Sequence, residues 1–150
     1  MITVRQATIF DLDSLVPLFD AYRQFYRRPS DRDLARRFLR DRFEHSQSVI
    51  FIALEDGTSA VGFTQLYPSF SSAAVARIFI LNDLFVEPGS RRLGVGTQLL
   101  EEAARFGRAA GAVRLTLSTE VTNVAARELY ESCGWTQQTD FDVYNLSLGG

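Results

Sequence analysis

At 150 residues the chain has the length of one domain, 1–150, and 46% apolar against 23% charged residues is globular composition that argues against disorder. Sixteen basic and eighteen acidic residues leave a net charge of −2, a balance that gives no support to nucleic-acid binding. All the bases are arginines, which excludes a Schiff-base lysine, a GK[ST] phosphate loop and a lysine general base. One cysteine (Cys133) and one histidine (His45) exclude an internal disulfide, a cysteine-rich zinc site and a histidine-rich metal cluster, so no metal is expected. The opening MITVRQATIFDLDSL has no basic region followed by a long apolar run, and no stretch reaches the roughly 18 apolar residues of a membrane helix. A soluble, cytoplasmic protein with no membrane partner is expected.

The elements follow in chain order. Ile2 to Ala7 alternates as a short strand. Asp11 is an N-cap candidate for an amphipathic helix carrying Leu12, Leu15, Val16, Leu18 and Phe19 and running to about Tyr26. After Pro29, Ser30 or Asp31 can cap a second helix with Leu34, Phe38, Leu39 and Phe43 inward. Ser48–Leu54 and Ala60–Tyr67 read as strands joined by a hairpin at Glu55-Asp56-Gly57-Thr58, and Pro68 to Ser72 as a loop. Val75–Val86 is a long strand interrupted by Asn82-Asp83. Gly94–Ala110 has helical spacing and ends at Gly111, Val113–Ser118 is a strand, and Thr122 or Asn123 opens a helix through Glu131. Trp135 to Leu148 is expected to hold one or two final strands. The order β-α-α-β-β-β-α-β-α-β-β implies an α+β (mixed α/β) domain, with a mixed, mostly antiparallel central sheet flanked by helices.

Chemistry concentrates where the long strand ends, in Leu84-Phe85-Val86-Glu87-Pro88-Gly89-Ser90-Arg91-Arg92-Leu93-Gly94-Val95-Gly96-Thr97. The first turn of a helix has N–H groups without intrahelical partners and carries the positive end of the helix dipole. Gly94 and Gly96 allow a phosphate to approach that backbone, and Arg91 and Arg92 add charge beside it, as a diphosphate cradle requires. A dinucleotide fingerprint fails because Gln98 or Leu99 stands at its third glycine. About thirty residues on, Asn123 begins a helix, and Tyr130 follows two turns later on the same face.

These two segments together resemble the GNAT superfamily of acetyl-CoA-dependent N-acetyltransferases. Arg91-Arg92-Leu93-Gly94-Val95-Gly96 matches its Q/R-x-x-G-x-G/A signature, and Asn123 to Trp135 matches N-x-x-A-x-x-L-Y-x-x-x-G-[FW]. Gln65 to Phe70 with Leu81 to Val86 resembles the histone- and polyamine-acetyltransferase-like branch. The resemblance implies acetyl-CoA (coenzyme A) as cofactor. It implies that the backbone of Leu84, Phe85 and Val86 pairs with the pantetheine arm and that Arg91, Arg92, Leu93, Gly94, Val95, Gly96 and Thr97 hold the pyrophosphate. Asn123, with Ala126 on the same helix, meets the cofactor arm, and Tyr130 lies near the thioester sulfur. The strands Val75–Val86 and Val113–Ser118 are expected to splay apart around the cofactor.

Direct amine acylation in a ternary complex needs a proton acceptor, because only about one alkyl amine in a thousand is neutral at pH 7. Asp83, Glu87 and Glu120 are the candidates, and Asp83 is favoured although strand alternation can turn it the wrong way. A backbone N–H near Leu84-Phe85 is the expected oxyanion donor if Asn82-Asp83 forms a bulge. Tyr130 is expected to protonate or hydrogen-bond the leaving thiolate. The acceptor, a primary amine of a small molecule or a peptide, is expected to meet Tyr22, Tyr26, Tyr67, Phe70 and Glu120. Between Arg23 and Glu44 stand eight arginines and four acids, which read as an acid-attracting patch or as a solvated helix face. A non-catalytic acyl-CoA-binding or regulatory module is the alternative reading. Trp135 and the final strands are a candidate homodimer face.

Overall fold

A computed structural model describes residues 1–150. Five strands form one sheet in the order β1 (Ile2–Gln6), β2 (Val49–Glu55), β3 (Ser59–Ser71), β4 (Ala76–Val86) and β5 (Leu115–Thr116). The first four strands are antiparallel and β5 joins β4 in parallel, so the expected mixed, mostly antiparallel α+β architecture stands. The helices are α1 (Leu12–Phe25), α2 (Arg32–Glu44), α3 (Val95–Ala109) and α4 (Val124–Ser132).

The sheet is apolar on both faces, which is why β2 reads as an unbroken run, VIFIALE. Ile50, Ile52 and Leu54 pack with Leu15, Val16 and Phe19 of α1 and Leu39 of α2. Phe51 and Ala53 point the other way and pack with Val95, Leu99, Leu100 and Ala103 of α3.

Four expectations change. Asp11 does not cap α1. Thr8 caps a short 3₁₀ turn at Ile9–Asp11, and the Asp11 carboxylate accepts from the Thr8 N–H at 2.8 Å and takes both Arg5 nitrogens at 2.8 Å. Pro68 to Ser72 is mostly not a loop, because β3 runs on to Ser71 opposite β4. Pairing with β2 stops at Leu66, so Pro68 sits where β3 is an edge and its missing N–H costs no ladder bond. The strand expected at Val113–Ser118 pairs only at Leu115 and Thr116, since β4 diverges beyond them. The final strands do not form on this sheet. Trp135 donates its N–H to the Tyr130 carbonyl at the end of α4, and no residue of 136–150 has a backbone hydrogen bond to the rest of the chain.

β4 also changes face along its length. Gln65 pairs with Asp83 but Leu66 pairs with Leu81, leaving Asn82 as a bulge. Before it, Phe79 and Leu81 face α3; after it, Phe85 faces α1 and α2. Unbroken alternation would put all three on one face.

Candidate active site

β4 and β5 are hydrogen-bonded only at Phe79–Leu115 and Ile80–Thr116, with neighbouring bonds from Val113 to Arg77 and from Phe79 to Arg114. Beyond Ile80 the strands splay as expected, and Leu84, Phe85 and Val86 line the resulting cavity of about 560 Å³. The start of α3 closes one end, and α1 and α4 supply the remaining walls.

At the α3 end, the N–H groups of Arg92, Leu93, Gly94, Val95, Gly96 and Thr97 have no backbone acceptor, and no side chain takes their place. Intrahelical bonding begins with Gln98 donating to the Gly94 carbonyl at 3.1 Å. Six successive free amides at a helix start form an anion site. Gly94 holds φ +78°, a left-handed conformation that L side chains resist. Gly96 has a second role besides opening the backbone: a Cβ there would lie 2.9 Å from Leu129 Cδ2, so the glycine lets α3 and α4 approach. Arg91 is anchored by its Nε to the Val86 carbonyl at 3.0 Å, and both Arg91 and Arg92 line the cavity. The Leu93 side chain does not; it is 54% exposed, and only its N–H belongs to this turn.

α4 is capped by Asn123, whose Oδ1 accepts from the Ala126 N–H at 3.2 Å, and Asn123, Ala126 and Tyr130 all line the cavity. Burial, with a smaller contribution from Tyr26, pushes the Tyr130 phenol up to about 12. Tyr22 and Tyr26 face the same space from α1.

A second cavity, of about 320 Å³, lies on the α1–α2 side of β4 and shares Tyr22 with the first. Asp83 and Tyr67 line it. The Asn82 bulge turns Asp83 to this face, where the carboxylate accepts from Gln65 Nε2 at 2.5 Å and from Asn82 Nδ2 at 2.8 Å. Burial raises its pKa despite those hydrogen bonds and the nearby Tyr22 hydroxyl. Tyr22 donates to the Asn82 carbonyl at 3.2 Å. Burial and Asp83 together push Tyr67 up to about 12.

Two expected acceptor residues lie outside both cavities. Phe70 is 68% exposed near the far end of β3, with the Arg77 guanidinium 4.2 Å from its ring centroid. Glu120 is paired with Arg27 at 2.9 Å. Phe25 and Ala125 of the first cavity, and Arg23 and Phe38 of the second, carry no sequence motif of their own. Arg23 was visible only as one of eight arginines.

A family model described as the acetyltransferase (GNAT) family matches residues 15–135. The chain belongs to that family. A Bacillus subtilis (strain 168) protein named uncharacterized N-acetyltransferase YhfO is 48% identical over 145 residues, covering 97% of each chain. A probable acetyltransferase of Haemophilus influenzae is 30% identical over 146 residues, covering 95% of this chain and 96% of that one. The crystal structure of a probable acetyltransferase superposes with a TM-score of 0.93 at 42% identity, over 99% of both chains. The GNAT chain is therefore an N-acetyltransferase, and acetyl-CoA is the cofactor of its family. The free amides at Arg92–Thr97 and the open edge of β4 fit that group, because one offers donors to a diphosphate and the other offers strand backbone to an amide-bearing arm. No helix is long and apolar enough to cross a membrane.

Proposed function

We propose that residues 1–150 act as one domain that moves an acetyl group from acetyl-CoA directly to a primary amine of a small molecule or peptide, with both held at once, in the cytoplasm. The carrying observation is that two cavities meet at Tyr22, one bordered by six free amides and the other by a buried carboxylate. Bound acetyl-CoA supplies an activated thioester carbonyl.

Arg91, Arg92 and the Leu93–Thr97 amides bind the diphosphate, and Leu84–Val86 with Asn123 and Ala126 orient the arm. Asp83 accepts the amine proton, directly or through water, and its raised pKa makes it a stronger base at neutral pH than an exposed aspartate. An N–H at Leu84-Phe85, beside the bulge, donates to the carbonyl oxygen. Tyr130 donates a hydrogen bond to the departing sulfur. At about 12 its pKa stands roughly three units above that of a thiol, so its proton stays mainly on the phenol oxygen. Cys133 lines neither cavity, which supports direct transfer over an acetyl-cysteine route. The working unit is a homodimer.

Thiol release from acetyl-CoA across a panel of amines, polyamines and peptides tests the reading. Release that depends on both acetyl-CoA and an amine is expected. Tight acetyl-CoA binding with no release for any amine would instead favour the non-catalytic acyl-CoA-binding module.

A further inference from the structure

We infer that the acceptor is a small primary amine that also carries an oxyanion, a carboxylate or a phosphate, and that Arg23 of the second cavity holds that group. The inference rests on the proposed acetyl transfer and narrows its acceptor.

Of the eight arginines between Arg23 and Glu44, five are exposed: Arg27, Arg28, Arg32, Arg37 and Arg40. Exposed arginines are ordinary surface. The other three, Arg23, Arg36 and Arg42, are half-buried. Arg36 is paired with Asp13 at 2.5 Å. Arg23 and Arg42 join no ion pair, and each has a buried nitrogen without a hydrogen-bond partner, Nη1 in Arg23 and Nε in Arg42. A guanidinium keeps its proton, so it cannot escape the cost of burial by becoming neutral.

Arg23 is the one that opens on a cavity. It lines the second cavity and not the first, whose own arginines are Arg91 and Arg92, so its charge stands apart from the diphosphate cradle. Arg42 bears on the same walls. Its guanidinium lies 4.3 Å from the ring centroid of the lining residue Phe38, and its charge works against the rise that burial causes in the Tyr67 pKa. Asp20 feels the Arg23 charge, but its oxygens are occupied by Ser30, the Asp31 N–H and Gln24.

Asp83 is the other charged residue that lines this cavity. No ion pair joins it to Arg23, and its carboxylate accepts from Gln65 and Asn82 instead. The cavity thus presents one group of each sign, and neither is paired with the other. That suits a ligand with an amine for the proposed base and an oxyanion for the guanidinium fork, held by charge-assisted hydrogen bonds. The remaining walls are mostly apolar or aromatic, with Phe19, Leu34, Ala35 and Phe38 among them. A volume of about 320 Å³ stands at the small end of ligand pockets, which favours an amino acid or an aminoalkyl phosphate over an extended peptide.

The kcat/KM for thiol release is compared between L-amino acids and their carboxamides, and between aminoalkyl phosphates and the matching amino alcohols. The first comparison reads a carboxylate and the second a phosphate. The wild type is expected to favour one anionic set at least tenfold over its neutral counterpart. Arg23→Gln is expected to reduce that ratio roughly tenfold or more, mainly through a higher KM for the anionic set. Each ratio is taken within one protein, so a smaller folded fraction cancels, and a guanidinium that only braces the fold would slow both sets alike. A ratio near one in the wild type, or one that Arg23→Gln leaves unaltered, overturns the assignment. Acetyl transfer then still stands as long as neutral amines release thiol. If no compound releases thiol, the transfer reading falls and calorimetry with the same compounds decides the anion site. Tighter binding of one anionic set that Arg23→Gln abolishes upholds the site, and equal binding of anionic and neutral sets overturns it.

Discussion

Gln65 and Asp83 are paired across β3 and β4, and the Gln65 Nε2 donates to the Asp83 Oδ2 inside the protein. Ser48 Oγ donates to the other end of the same amide at 2.7 Å, fixing which atom of Gln65 meets the carboxylate. Thr64 Oγ1 holds the Asp83 carbonyl at 2.7 Å. The proposed base is therefore held on both its side chain and its backbone, beside the residue at which β4 changes face.

Burial raises the Asp83 pKa above its unfolded value near 3.9. Below about pH 4 the carboxyl is neutral in both states, and as pH rises through the folded value the native state loses stability. Asp83→Asn is neutral throughout. Its melting temperature should rise relative to wild type between pH 4 and 8, while thiol release falls roughly 10²-fold or more. Melts over that range check the sign, and a pH-independent difference would contradict it.

Asp20 has the opposite sign. Burial alone would raise its pKa, but hydrogen bonds from Ser30 and the Asp31 N–H, with the Arg32 and Arg23 charges, bring it below the ordinary value. Its stabilisation is present above an unfolded pKa near 3.9 and is lost as pH falls through the lower folded value. Asp20→Asn is expected to cost about 1–3 kcal/mol at pH 7 and less near pH 3, as read from urea melts.

Tyr130→Phe should lower kcat roughly 10- to 10³-fold and change acetyl-CoA affinity little, since the role proposed for the phenol is at the departing sulfur and not at the diphosphate. Equal turnover of variant and wild type removes the residue from the reaction.

Gly94→Val forces a β-branched residue to φ near +78°, a strain of roughly 1–2 kcal/mol, and disturbs the free-amide turn. Gly96→Val pushes on Leu129 and shifts α4. Calorimetry should show acetyl-CoA binding lost in the first and at least strongly weakened in the second. Unchanged affinity in both would refute the cradle.

The free-amide turn was legible because its elements are local: glycines, arginines and a helix start lie within seven consecutive residues, Arg91–Thr97, and backbone amides need no distant partner to be free. Asn123 and Tyr130 were legible for the same reason, lying on one short helix. Phe70 and Glu120 line neither cavity, and aromatic or acidic character does not say which way a strand or loop turns; Phe70 meets Arg77, and Glu120 meets Arg27. Arg23 went unmarked because an unpaired guanidinium is a property of its surroundings.

The sequence by itself determined the helices, the order of elements through β4 and the glycine-bearing start of α3, because periodicity, capping and glycine placement act over a few residues. The tertiary structure decided the rest. A one-residue register slip at Asn82 carries Asp83 to the α1–α2 face, and divergence of β4 from β5 opens the cleft. The short β5 leaves 136–150 unpaired. Each outcome depends on which distant segment lies alongside, and no pattern of neighbouring residues encodes that by itself.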